Sequence, residues 1–219
     1  MILKNLSVIS YIFWYLFLAI FTPLVVCELN FGFVWDNLLI FKWVGCGILA
    51  FFVINRFFVK NTEFFRTFSH ELNHTVVGLM FFKRISSFKA ESSGEGEVWF
   101  EQGTSLSRVC ISLAPYCLPF LTYILLIFRI IVRPEFLWVP DVLIGFSLAF
   151  YVVCFISQMS PVQTDINQFH YIFSYWYILV FQLFNYCITF FSLLPDQNVF
   201  LAFKHFFVNY WQDLCGFFT

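Results

Sequence analysis

The sequence contains little charge. Only 11% of its 219 residues are Asp, Glu, Lys or Arg, against about 25% in a typical soluble domain. Hydrophobic residues make up 61% of the chain, and the mean hydropathy is +0.82. This composition excludes an ordinary soluble globular domain. The net charge of −1 comes without any basic patch, so no nucleic-acid partner is expected.

The sequence also lacks paired cysteines. Its seven cysteines include no CxxC pair, and most of them lie within apolar runs. An odd number of cysteines without regular spacing is not typical of a disulfide framework. Free cysteines in apolar surroundings behave as small buried hydrophobic residues, so we expect no disulfide scaffold.

The sequence has long apolar runs. Several of them are long enough to cross a bilayer, which needs about 20 helical residues. The runs are continuous rather than alternating, which favours helices over a transmembrane β-barrel. We predict an all-α polytopic membrane protein with about six transmembrane helices, forming a single domain over residues 1–219. The predicted helices lie at residues 8–26, 38–58, 63–82, 108–131, 137–156 and 171–194, followed by an interfacial helix at 198–218.

The most polar stretch of the chain follows the third predicted helix, at residues 83–107. It contains GEGEVWF at 94–100, a pattern that indicates a turn leading into a short extended segment. Either this segment is re-entrant, as a partly inserted hairpin that returns to the face on which the third helix begins, or the HELNH motif lies near the middle of the membrane. The sequence leaves both open. Pro115 and Pro119 in the next predicted helix indicate a kink or a break there.

One polar cluster lies inside the third predicted helix, where HELNH at 70–74 fits the HExxH pattern. Residues four apart share a helix face, so His70 and His74 can bind one metal ion. Glu71 would serve as general base for a water that the metal activates. Zinc suits two nitrogen ligands and a carboxylate, with a fourth position open for water. Ionisable residues within apolar helices mark functional sites.

Two histidines supply two ligands, so a third ligand must come from elsewhere. Asp165 is the preferred candidate, because it lies in a polar cluster directly before a long apolar helix, although a solvated or capping role would also fit that position. His170 is expected behind a ligand or at the membrane interface, and Glu63 is expected to pair with Arg66 at i+3. The remaining candidates are Glu91, Glu95, Glu97, Asp141, Asp196 and His205.

The order of these features resembles the site-2-protease family of integral membrane zinc metalloproteases, and in particular its compact bacterial branch. The motif helix is itself apolar, and Gly78 follows the second histidine by four residues. A Gly-x-Gly-x-Val pattern at 94–98, a helix with small residues and a break, and a later aspartate in QTDINQ follow in the same order. The similarity covers about residues 63–175. In better-known branches a glycine follows the aspartate, whereas Ile166 does so here.

The resemblance implies that His70, His74 and Asp165 bind one zinc ion and that Glu71 is the catalytic base. It also implies hydrolysis of a peptide bond within a membrane-spanning or membrane-proximal substrate. The expected location is a bacterial cytoplasmic membrane, which the chain would cross several times.

Substrate contacts are expected from Asn73 in the motif, Val98 in the extended segment and Asn167 near Asp165, although Asn73 would equally fit a packing role. A transmembrane substrate must unwind before cleavage, and an extended segment can pair with it by strand addition. The expected partners are a membrane-protein substrate and the lipid bilayer, while further membrane partners are unknown.

Two alternatives remain open. One is a membrane zincin of the type that processes prenylated proteins, whose third ligand is typically a downstream glutamate. No glutamate follows Glu135 in this chain, which disfavours that type. The other is a catalytically inactive membrane subunit or scaffold that retains a remnant of a zinc site. The intact Glu71 disfavours it, since an inactive site has no need of a base.

Overall fold

The computed structural model describes most of the chain, and the described part is mainly helical. The described residues are 7–28, 38–57, 63–91, 93, 95–100, 104–160 and 163–217. The helices are α1 (Val8–Glu28), α2 (Lys42–Phe57), α3 (Glu63–Met80), α4 (Ser105–Cys117), α5 (Phe120–Ile131), α6 (Trp138–Gln158), α7 (Thr164–Asn167), α8 (Tyr171–Ser192) and α9 (Val199–Phe217). Two strands, β1 (Ile85–Ala90) and β2 (Gly96–Phe100), lie between α3 and α4.

Three helices of the described chain are long and apolar enough to cross a membrane, namely α1 over Val8–Val26, α6 and α8. The pair α4 and α5 adds a fourth if it forms one broken span. By contrast, α2 has 16 residues, or about 24 Å at 1.5 Å per residue, and α3 includes Glu63, Arg66 and Glu71. These helices support an integral membrane protein, but the predicted count of six spans is not confirmed.

The predicted helix at 108–131 is divided in two, with Leu118 and Pro119 between α4 and α5. The second of its two prolines, Pro119, is the N-cap residue of α5. The first, Pro115, lies inside α4. Because proline has no backbone N–H, it removes the helical hydrogen bond to the carbonyl four residues earlier, which is that of Ile111.

The polar segment folds into an antiparallel hairpin in which Phe88 is the partner of Val98. The Glu91 N–H donates to the Glu95 carbonyl over 2.8 Å, so this pair is hydrogen-bonded between the strands. Hydrogen-bonded and non-hydrogen-bonded pairs alternate along an antiparallel ladder. Phe88–Val98 is three pairs further on, so it is a non-hydrogen-bonded pair. The N–H and C=O of Val98 therefore point away from β1, towards the free edge of β2.

The described residues group into two compact units, each with its own packing. The first comprises Met1–Ala19, Ile54–Leu118 and Tyr151–Gln182, and it contains the HExxH helix and the hairpin. The second comprises Ile20–Val53, Pro119–Phe150 and Leu183–Thr219. The single domain over 1–219 stays a prediction. Of the predicted helices and the predicted polar segment, Phe58, Ser92, Gly94, residues 101–103 and Phe218 lie outside the described residues.

In the second unit, α2 and α6 approach each other backbone to backbone. A Cβ atom added at Gly47 would collide with the Val142 carbonyl, and one added at Gly145 would collide with the Val44 carbonyl. Small residues allow this close packing where lipid provides no hydrophobic drive between helices. A partly buried ion pair between Arg129 and Asp141, at 2.8 Å, also lies in this unit.

We expect Gly47→Ala to lower the unfolding temperature of the purified protein in detergent, because overpacking costs about 1–3 kcal/mol. Gly45→Ala is the matched control, since nothing lies within 4 Å of a Cβ atom there. Alanine also has the better helix propensity, so the control should unfold at the wild-type temperature or slightly above it. Equal unfolding temperatures for the two variants would contradict the close approach.

Candidate metal centre

The helix α3 presents its two histidines side by side. His70 and His74 are four residues apart, and their ring centroids lie 4.8 Å from each other. The side chain of each is about 10% exposed. The helical period alone accounts for this arrangement, since residues at i and i+4 lie on one face.

Asp165 completes a group of three ligand-type side chains. Its Oδ2 atom lies 3.1 Å from Nε2 of His70 and 3.3 Å from Nε2 of His74. One ligand atom from each residue lies within 4.8 Å of the other two. Among the described residues this is the only group of three or more histidine, cysteine or acidic side chains with the proximity needed to hold a metal. The chain brings Asp165 here across 95 residues.

The segment that carries Asp165 is anchored on both sides. Ile166 is fully buried, and its carbonyl accepts a hydrogen bond from the Ser174 hydroxyl at 3.1 Å. Further on, the Tyr11 hydroxyl accepts a hydrogen bond from the His170 N–H at 3.0 Å. These contacts tie the short helix α7 to α8 and α1, so Asp165 is held by packed helices rather than by a free loop.

Both imidazoles have a hydrogen-bond acceptor behind them. Nδ1 of His74 lies 2.7 Å from the Ile111 carbonyl, and Nδ1 of His70 lies 3.2 Å from Oε1 of Gln158. An acceptor at Nδ1 holds the proton there and leaves the Nε2 lone pair free for a metal. Two nitrogen lone pairs and one carboxylate oxygen therefore converge, and this donor set fits zinc.

The protonation of Asp165 suits the same role. Burial raises the pKa of its carboxyl group, but the two imidazoles beside it lower that pKa by more, and the result lies well below the usual value. The carboxylate is therefore ionised at neutral pH. An ionised carboxylate supplies an anionic oxygen ligand without first losing a proton.

Glu71 lies next to the histidines under the backbone of β2. Its side chain is buried, and a Cβ atom added at Gly96 would lie 2.5 Å from Oε1 of Glu71 and 2.6 Å from Cγ2 of Thr67. At the other end of β2, the Phe100 ring occupies the space that a Cβ atom at Gly78 would need. The two glycines therefore allow the hairpin to lie directly on α3.

A cavity of about 380 Å³ opens onto these side chains, and His70, Glu71, His74 and Asp165 all line it. Val98 lines it as well. The other two residues expected to contact substrate are not brought there. Asn73 is buried, and neither it nor Asn167 is among the described residues that line the cavity.

The other acidic and histidine candidates for a third ligand are not brought to the two histidines, except that Glu97 lines the same cavity. Glu63 pairs with Arg66 at 3.0 Å, which confirms the i+3 salt bridge expected from the sequence. His170 lies 3.4 Å from the Tyr15 hydroxyl. Two more are in ion pairs and one packs against an aromatic ring at a tilt: Asp141 with Arg129, Glu91 with Lys89, and His205 with Phe191.

Sequence reasoning missed the groups behind the histidines. The predicted helix at 137–156 ends two residues before Gln158, whereas α6 includes Gln158 as its last residue. Its position at the end of an apolar run, seven residues before Asp165, was the available signal. The side chain of Ile111 gives no indication of its contact with His74, because the backbone carbonyl makes that contact. Only Pro115, four residues later, indicated that this carbonyl lacks a helical partner.

A family comparison covers most of the chain. The family model described as Peptidase M50B-like matches residues 43–198, and this range includes the HExxH helix, the hairpin and Asp165. No curated protein and no solved structure matches the chain.

We expect the purified protein to bind one zinc ion, and Asp165→Asn to weaken that binding. Loss of a partner behind a ligand already costs about 10–100-fold in metal affinity, so loss of a ligand should cost more than about 100-fold. Asp196→Asn is the control, because Asp196 does not line the cavity and asparagine tolerates its positive φ of 59°. Chelator competition measures the zinc affinity of both variants. If Asp165→Asn binds zinc as tightly as wild type does, Asp165 is not a ligand.

Proposed function

The chain belongs to the Peptidase M50B-like family, and on that premise we propose that it is an intramembrane zinc metalloprotease. Membership confirms the expected relation to the site-2-protease family, and the family together with the apolar helices points to a membrane metalloprotease. The observation that supports the finer proposal is the convergence of His70, His74 and Asp165 beside Glu71 in one cavity. That the membrane is a bacterial cytoplasmic one stays a prediction.

Members of this family are generally zinc metallopeptidases. In this chain, Nε2 of His70, Nε2 of His74 and a carboxylate oxygen of Asp165 would hold the ion. A bound zinc ion supplies a Lewis acid that polarises the scissile carbonyl and makes water more acidic. Glu71 takes the proton of the attacking water and returns it to the leaving nitrogen, the usual role of the glutamate in HExxH.

Substrate binding follows from the free edge of β2. A transmembrane helix must unwind to expose its scissile carbonyl, and an unwound segment has unpaired backbone groups that are costly in lipid. Val98 lines the cavity, and its N–H and C=O face away from β1. An extended substrate that added as a further strand would bond to these groups and bring its backbone past Glu71.

The donor set separates this proposal from a prenyl-protein-processing zincin, because an aspartate rather than a downstream glutamate lies beside the histidines. An inactive scaffold would bind zinc without using Glu71. A comparison that removes only the base therefore tests whether the site catalyses.

Glu71→Gln should keep the zinc ion and lower cleavage by about 10²–10⁴-fold, the usual contribution of a general base. The measurement compares membrane proteomes of cells that express wild type or Glu71→Gln, together with the zinc content of both purified proteins. Glu63→Gln is the control, since Glu63 lies on the same helix but pairs with Arg66 at the surface. If wild type and Glu71→Gln yield the same fragments, the scaffold alternative replaces the protease.

Val98→Pro should lower cleavage of a substrate identified in this way by about twofold to tenfold, since one hydrogen bond contributes about 0.5–1.5 kcal/mol. Zinc content should not change. Ala90→Pro is the matched control: Ala90 is the partner of Gly96, so its N–H faces the free edge of β1 instead. Equal cleavage by Val98→Pro and Ala90→Pro would exclude strand addition to β2.

A further inference from the structure

We infer that this chain orients its two histidine ligands from behind by two separate devices: the carbonyl that Pro115 leaves free in α4, and the side-chain amide of Gln158 at the end of α6. This inference rests on the proposed zinc site and adds two positioning residues to it. Neither residue belongs to the HExxH motif.

The first device begins with a proline inside a helix. Pro115 lies in α4 and provides no N–H to the carbonyl of Ile111, which in an unbroken helix would bond to residue 115. Nδ1 of His74 lies 2.7 Å from that same carbonyl. The helical bond that proline removes is thus replaced by a bond from His74, and this bond places the proton of His74 on Nδ1.

The second device is a side-chain amide whose orientation is determined by its surroundings. The Arg66 carbonyl can only accept, and Nε2 of Gln158 donates to it over 3.2 Å. The amide must therefore turn its oxygen to the other side, where Oε1 lies 3.2 Å from Nδ1 of His70. Since an amide oxygen only accepts, the proton of His70 also belongs on Nδ1.

Both devices have the same effect on the ligand atoms. With an acceptor at each Nδ1, Nε2 is the nitrogen of both imidazoles that faces Oδ2 of Asp165, at 3.1 and 3.3 Å. Nε2 is therefore the atom by which each ring would bind a metal, and the two contacts behind the rings hold the orientation that this requires.

A purely structural reading competes with this one. Pro115 could act only by bending α4, and Gln158 only by joining α6 to α3 through the Arg66 carbonyl. The two roles predict changes in different quantities. Removing a proline from a helix interior favours the helix, so a structural role predicts that Pro115→Ala raises the unfolding temperature and leaves zinc affinity unchanged. A positioning role predicts weaker metal binding without loss of stability.

The test measures zinc affinity by chelator competition and unfolding temperature in excess chelator, on the purified full chain in detergent. We expect Pro115→Ala to bind zinc about 10–100-fold more weakly, as for other groups that orient a ligand, and to unfold at the wild-type temperature or above. Pro23→Ala is the matched control, because Pro23 also lies inside a helix but does not line the cavity. It should bind zinc as wild type does.

Two substitutions separate the contacts of Gln158. Gln158→Met removes both contacts and should weaken zinc binding by about 10–100-fold. Gln158→Glu loses the donor to Arg66 but keeps an acceptor for His70, so it should bind zinc as tightly as wild type or more tightly. Gln163→Glu adds the same charge to the cavity lining without a hydrogen bond to either histidine in the described structure. It should tighten binding by less than Gln158→Glu.

Each result then supports or overturns the inference. If both Pro115→Ala and Gln158→Met bind zinc with wild-type affinity, the inference is overturned. If Gln158→Met and Gln158→Glu weaken zinc binding equally, Gln158 only links α6 to α3 and does not orient His70. If Gln158→Met does not fold, weaker binding by Gln158→Glu than by wild type overturns the role of Gln158. A wild-type protein that binds no zinc refutes the proposed function instead, so the two failures are distinguishable.

Discussion

The site depends on the convergence of three side chains. Oδ2 of Asp165 lies 3.1 Å from Nε2 of His70 and 3.3 Å from Nε2 of His74, and one ligand atom from each residue lies within 4.8 Å of the other two. Two nitrogen donors and one carboxylate oxygen at this spacing form a donor set that suits zinc. Helix α3 supplies two of the three side chains, and the segment between α6 and α8 supplies the third.

Two residues near this centre are unfavourable for the secondary structure in which they lie. A proline inside α4 costs helical stability but leaves the Ile111 carbonyl for His74. A glycine in β2 lowers strand propensity but allows the hairpin backbone to lie against Glu71 and Thr67. Both departures from ideal secondary structure lie beside residues of the candidate site, His74 and Glu71, as is expected where function rather than stability decides the residue.

The proposed hydrolysis next to a membrane would require polar groups and water in a mainly apolar chain. The cavity of about 380 Å³ collects side chains that would be costly in lipid, among them Glu71, Asp165 and Gln158. The hairpin closes part of this space, since Gly96, Glu97 and Val98 of β2 line it. A polar cavity lined by protein can hold both the polar side chains and the water, because backbone and charged groups are tolerated at membrane depth only where protein or water surrounds them.

The sequence by itself determined what depends on local geometry. Low charge and long apolar runs indicate membrane helices, and the i, i+4 spacing of His70 and His74 places both imidazoles on one face of α3. The tertiary structure alone decided which distant group joins them, because nothing in a local period relates residues 95 positions apart. It also decided that Asn73 and Asn167 do not line the cavity and that Gln158 and the Ile111 carbonyl stand behind the histidines. Those contacts depend on how α4, α6 and α7 pack around α3, and packing is set by the whole chain rather than by any one segment of it.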